Sequence, residues 1–151
     1  MNDEHYLRFA IARSRESMQQ DKFPAAGLVV ASYLGEPPIV SGISGDDTDY
    51  RHGEVRAIEA AIELAGRNLE GAVLYASMEP CLMCLTTAYW AGIRKIVYAI
   101  RRTEVDSSYY ESDTTATDLS QTMHEPMEQV HLSDLESIAL DVVREWEATR
   151  S

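Results

Sequence analysis

Cysteine is scarce in this chain: Cys81 and Cys84 are the whole complement. Disulfide frameworks use more sulfurs at longer spacing, so a C-x-x-C in an otherwise cysteine-free chain reads as a metal or redox motif. Lysine is equally scarce, with only Lys22 and Lys95, and 13 basic residues face 25 acidic ones for a net charge of −12. Affinity for DNA or RNA rests largely on neutralising phosphates with Lys and Arg. A nucleic-acid partner is therefore not expected, although Arg94, Lys95, Arg101 and Arg102 form a local basic group. The acidic excess reads first as a solubility feature. No apolar run approaches the roughly 18 residues that a membrane span requires. The opening Met1-Asn2-Asp3-Glu4-His5 is polar and acidic, unlike a signal peptide. The expected setting is cytoplasmic, without membrane contact. Repeats, linkers and low-complexity tracts are missing too. Residues 1–151 read as a single domain, with 45% apolar residues to form a core.

What is present is periodic. Residues 3–20 place Tyr6, Leu7, Ala10, Ile11, Ser14 and Met18 on one face, the 3.6-residue period of an amphipathic helix. After a connection at 21–24, residues 26–34 and 39–44 read as two strands joined by the turn Gly35-Glu36-Pro37-Pro38, a hairpin. A polar loop follows at 45–49. A helix over 52–66 carries Val55, Ile58, Ala61, Ile62 and Ala65 on its buried face. Strand 72–77 leads to a helix over 80–92, with Pro80 in its first turn and Gly92 as its cap. Strand 95–100 comes next, then a polar stretch at 101–117 and a weak helical signal at 118–125. A fifth strand spans 127–132. Ser133-Asp134-Leu135-Glu136 has the form of a capping box before a closing helix bearing Leu135, Ile138, Val142, Val143 and Trp146. The alternation predicts an α/β fold, a three-layer α/β/α sandwich around a mixed five-stranded sheet. The long connection between the last two strands predicts that they run parallel.

Two fragments carry chemistry. His52-Gly53-Glu54 opens a helix after a polar loop, and Pro80-Cys81-Leu82-Met83-Cys84 opens another after a strand. Two thiols three positions apart share a helical face, and a helix N-terminus favours the thiolate that binds metal. With His52 as the third ligand, the fourth tetrahedral position stays open to water, as in a catalytic zinc site. Zinc lowers the pKa of such a water toward ~7. Glu54 lies two residues from His52, beside the metal rather than on it, where a carboxylate can relay protons. Taken alone, His-x-Glu is commonly an exposed helix start, and C-x-x-C fits a redox pair or half of a structural site. His5, His124 and His131 are scattered and complete no second pair. Together, and in this order, the fragments form the H-x-E…P-C-x-x-C pattern of zinc deaminases.

On these residues the chain resembles the cytidine deaminase-like superfamily from about residue 5 to residue 146. Ser77–Cys84 followed by Ala88-Tyr89-Trp90-Ala91-Gly92-Ile93 is similar to the branch of guanine deaminases and related nucleoside and tRNA adenosine deaminases. Gly53, where that branch usually has Ala, is similar to fungal cytosine deaminase. The resemblance implies one zinc per subunit, a homodimer, and a substrate carbonyl held by backbone N–H groups at Gly53 or nearby. Three departures concern the substrate side. Pro24-Ala25-Ala26-Gly27 lacks the aromatic that relatives place near the ring, Ser44 stands in a stretch lacking their substrate-holding Asn, and 101–117 is shorter and lacks their Gly-Phe-Asp-Asp.

The expected activity is zinc-dependent hydrolytic deamination of a free nucleobase, nucleoside or related amino-heterocycle, releasing ammonia, with a guanine-type purine as the leading substrate. A cytosine or cytidine substrate is the alternative. The net charge disfavours tRNA adenosine, and the presence of Glu54 disfavours a non-catalytic zinc-stabilised module. The expected metal ligands are His52, Cys81 and Cys84, and Glu54 is the expected catalytic residue. Gly53, Ala26, Glu79, Pro80, Trp90, Asp106 and Tyr109 are candidate substrate contacts. Trp90 also suits the dimer interface or plain core packing, and Asp106, Tyr109, Tyr110 and Glu111 lie in the stretch that relatives fold over the substrate.

Overall fold

The computed structural model describes residues 3–45 and 50–150. Helix α1 (Asp3–Gln19) leads into β1 (Ala26–Val30) and β2 (Ile39–Ile43). Then come α2 (Gly53–Ala65), β3 (Val73–Met78), α3 (Leu82–Ala91) and β4 (Lys95–Ile100). The chain ends with α4 (Ala116–Thr122), β5 (Glu128–His131) and α5 (Glu136–Ala148). Most of the polar loop expected at 45–49 lies outside the described residues. Among the described residues no helix is long and apolar enough to cross a membrane.

The five strands form one sheet in the order β2-β1-β3-β4-β5. β1 runs antiparallel to β2 and β3, whereas β3, β4 and β5 are mutually parallel. Alternate residues of the central strands point to opposite faces. Leu28, Tyr75 and Val97 pack with Leu7, Ala10 and Ile11 of α1 and with Ala139 and Val143 of α5. Val29, Leu74 and Ile96 pack on the other side, with Ala57, Ile58 and Ala61 of α2 and Leu85 and Ala88 of α3. The result is the expected α/β/α sandwich with a mixed sheet.

Several boundaries differ from the pattern read in the sequence. The first strand stops at Val30 because Ser32–Leu34 turns into a 3-10 helix. Ile62 and Ile138, expected on buried faces, are 38% exposed. Helix α3 begins at Leu82, with Cys81 as its cap, so Pro80 precedes the helix. The weak signal at 118–125 corresponds to α4, which starts earlier, at Ala116. The capping box does not form: Ser133–Leu135 is a 3-10 turn, and the Glu136 carboxylate accepts from the Arg101 backbone N–H and guanidinium at 3.0 Å instead. A bidentate charged partner outcompetes a neutral capping bond.

Candidate metal centre and active-site cleft

The site lies beyond the carboxyl ends of β3 and β4, where ligands gather in open α/β sheets. Two helix starts converge there. His52 caps α2 and Cys81 caps α3. Three glycines allow the first of these approaches. A Cβ on Gly53 would sit 2.8 Å from the Ala26 Cα and 2.9 Å from the Gly42 carbonyl oxygen, and one on Gly27 would sit 2.6 Å from the Glu54 Cα. The start of α2 therefore rests directly on the backbones of β1 and β2.

His52 Nδ1 lies 3.5 Å from Cys81 Sγ and 3.4 Å from Cys84 Sγ. All three donor atoms fall within 4.8 Å of one another. The Cys84 backbone N–H donates to Cys81 Sγ at 3.5 Å, the capping bond of α3. Glu54 is buried, and its Oε2 lies 3.0 Å from Cys84 Sγ. Its Oε1 is buried without a hydrogen-bond partner. A bare buried carboxylate oxygen is costly, and Glu54 lines the cleft together with His52 and Cys81.

The protons are distributed unequally. A hydrogen bond from the Cys84 thiol, reinforced by His52, holds Cys81 down to about 5. That bond and burial push Cys84 well above the usual thiol range. Its bond to Cys81 raises His52 to about 9, with the Glu54 and Glu111 charges adding to the effect. Burial raises Glu54 to about 7, opposed by its bond to Cys84 and by His52. Two sulfurs and one imidazole nitrogen, converging from two helix starts beside an unpartnered carboxylate oxygen, fit a single zinc ion with one position open.

The cleft around this centre, about 340 Å³ including its mouth, is lined by Phe23, Ala25, Ser44, Met78, Glu79, Tyr109 and Tyr110 beside His52, Glu54 and Cys81. The remaining candidates fall in different places. Gly53 and Ala26 are buried in the contact between α2 and β1, with the Ala26 N–H given to the Ser77 hydroxyl at 3.1 Å. Glu79 borders the cleft, but its carboxylate points into the fold and accepts from the N–H groups of Arg102 at 3.1 Å and Ala116 at 2.9 Å. Pro80 lines a separate hollow under 111–119. Asp106 turns away to cap a 3-10 turn, accepting from the Ser108 N–H at 2.8 Å. Trp90 is 81% exposed near the far end of α3 and is neither core nor cleft.

Sequence reasoning placed Tyr110 and Glu111 in the stretch over the substrate without giving them a role, and it missed Phe23. Tyr110 donates to the Glu79 carbonyl at 2.8 Å beneath the Arg102 guanidinium, which sits 4.7 Å over its ring. Glu111 accepts from the N–H groups of Leu82 and Met83, both at 3.2 Å, and so fastens the 101–117 stretch to the helix bearing the two cysteines. A carboxylate at a helix N-terminus is a favourable placement. Phe23 carried no signal because it lies in a connection.

Residues 1–100 match the family described as the cytidine and deoxycytidylate deaminase zinc-binding region. A guanine deaminase of Bacillus subtilis is 28% identical over 141 residues, covering 89% of each chain. A probable cytosine deaminase of Schizosaccharomyces pombe is 32% identical over 96 residues, which are 63% of this chain and 58% of that protein. A solved guanine deaminase from Nitrosomonas europaea shares the fold at a TM-score of 0.81 with 19% identity, over 97% of this chain and 85% of that one. The converging ligands and the match over two helix starts and the intervening strand have one reading: the chain belongs to the cytidine and deoxycytidylate deaminase zinc-binding family.

Proposed function

We infer that this protein hydrolyses the exocyclic amine of a small, uncharged amino-heterocycle, a free nucleobase or nucleoside, with a guanine-type purine as the leading substrate. The observation that carries the reading is Glu54: a buried carboxylate beside three metal donors, with one oxygen unpartnered, on a residue that lines the cleft. Bound zinc would supply Lewis acidity and an acidified water. Glu54 takes the proton released at the water oxygen and hands it to the ring nitrogen. As the water oxygen bonds to the amine-bearing carbon, Glu54 takes up the second proton from the added hydroxyl and gives it to the departing amine as the C–N bond breaks, so that C–NH2 and H2O become C=O and NH3. In the metal-free chain burial raises Glu54 to about 7.

Two features support a base or nucleoside over a polynucleotide. His52 apart, no cationic side chain lines the cleft among the described residues, and the protein carries a net charge of −12. The Bacillus guanine deaminase aligns over 89% of this chain, which favours a purine. The fission-yeast relative, at the higher identity of 32%, keeps cytosine as the second reading. A second copy of this chain suits the outer face of α3, which has no charged residue and exposes Leu82 and Trp90. The test is ammonia release from guanine, guanosine, adenine, cytosine and cytidine by the zinc-loaded protein. Guanine turnover well above the rest is expected; cytosine turnover above guanine selects the second reading, and silence across all five contradicts the function.

A further inference from the structure

Ala25 gives the cleft only a methyl group, yet the cleft does not lack aromatic surface. Phe23 lines it together with His52, Glu54 and Cys81. The Ala25 N–H donates to the Phe23 carbonyl at 2.8 Å, an i to i+2 bond that makes a γ-turn centred on the buried Pro24. Proline's fixed φ suits the centre of such a turn. The Ser17 hydroxyl donates to the same carbonyl at 2.7 Å, fastening the turn to α1. The turn thus carries Phe23 back over the cleft.

The ring itself is held from two directions. Tyr109 meets it edge-on at 5.1 Å and 79°, and Trp146 at 5.2 Å and 75°. The Tyr109 hydroxyl donates to Glu147 at 2.5 Å. Three separate segments, the α1–β1 connection, the 101–117 stretch and the end of α5, therefore converge on one aromatic cluster. Edge-to-face contacts of this kind contribute about 0.5–1.5 kcal/mol each beyond burial, which makes a pre-set wall rather than a loose side chain. Phe23 is only partly buried and retains ring surface for a ligand.

We propose that Phe23 is a specificity-determining residue of this cleft, its ring supplying the apolar face against which a flat amino-heterocycle docks. Tyr109 completes that face, and Trp146 and Glu147 are positioning residues that act through Phe23 and Tyr109. The proposal rests on the deaminase reading for its choice of ligand, but not for its geometry.

The test separates the two. Zinc-loaded Glu54→Gln protein, in which turnover is blocked, is titrated with guanine by equilibrium dialysis, alone and combined with Phe23→Ala, Phe23→Leu or Phe23→Tyr. Losing base–aromatic packing weakens guanine binding by about 5- to 100-fold in the Ala and Leu variants, and Tyr restores it to within about threefold, since it keeps the ring. In the active protein the same variants raise KM for guanine far more than they lower kcat, with zinc content unchanged. If Phe23→Ala fails to fold, the Leu and Tyr variants carry the comparison. A Phe23→Leu protein with full zinc and unchanged guanine affinity overturns the proposal, as does an absence of guanine binding by the parent. Phe23-dependent binding without ammonia release from any base leaves the proposal standing and sinks the deaminase reading instead.

Discussion

Gly53→Ala is the substitution whose outcome the geometry decides most sharply. Alanine is the better helix former by about 1 kcal/mol, so propensity alone predicts a gain. The structure predicts the reverse. The new Cβ would meet the Ala26 Cα at 2.8 Å, the Gly42 carbonyl oxygen at 2.9 Å and the Gly27 nitrogen at 3.1 Å, all backbone atoms without a rotamer to change. Relief requires the start of α2 to lift off β1 and β2. Overpacking of this kind costs about 1–3 kcal/mol, and for a chain of this size each kcal/mol lowers Tm by roughly 2–4 °C. A fall of roughly 2–12 °C is expected, less whatever the propensity gain returns. The lift also moves His52 and Glu54, which flank Gly53. Metal sites tolerate errors of about 0.2 Å, and a 1 Å misplacement costs about a hundredfold in rate. Calorimetry, zinc stoichiometry by mass spectrometry and ammonia release measure the three effects. An alanine variant with unchanged Tm, full zinc and full turnover would refute the close-contact account of this helix start.

Glu79→Gln keeps the shape but gives two backbone donors a weaker acceptor. Hydrogen bonds to a charged group contribute about 1.5–3 kcal/mol, so Tm falls and KM rises as the Tyr110–Glu111 wall loosens; equal KM and Tm in the variant would show that the tether is dispensable. Trp90→Glu places a charge on the uncharged outer face of α3, where the side chain is 81% exposed. Light scattering after size exclusion is expected to show the wild type at twice the chain mass and the variant at the monomer mass; identical masses contradict a dimer through this face. Glu136 is held below its ordinary value by the Arg101 guanidinium, with the Arg101 N–H and His131 contributing. A depressed carboxylate stabilises the fold above its unfolded pKa, and that share is lost as pH falls through the lower folded value. The Tm advantage of wild type over Glu136→Gln is thus present at pH 6 and shrinks below 4.5 toward pH 3. A gap that stays constant across that range removes the ion pair as its cause.

The sandwich, the hairpin and the parallel β4–β5 pair were legible because burial imposes a period. Leu28, Leu74 and Ile96 alternate with residues facing the other layer, and α1 repeats its apolar positions every 3.6 residues. The metal centre was legible because its ligands sit at fixed offsets on two helix starts. Local rules failed where a distant partner won. The Ser133–Glu136 box surrendered its glutamate to Arg101, and Pro80 stands before the cap because Cys81 takes the Cys84 N–H. The cleft wall was least legible. Phe23, Tyr110 and Glu111 belong to connections without a period, and what places them is contact with Trp146, Glu79 and the α3 N-terminus, none of which their own neighbourhood announces.

Zinc stoichiometry and ammonia release, measured together on wild type and Glu54→Gln, test the central claim most directly. Among the described residues His52, Cys81 and Cys84 make the metal donor set, and Glu54 stands beside it with an oxygen that has no hydrogen-bond partner. Both proteins are therefore expected to hold one zinc per chain, while the variant loses turnover by about 10²–10⁴-fold, the range for removing a positioned proton relay. A variant that binds zinc and turns over at the wild-type rate, or one that loses the metal along with activity, would contradict the division of roles.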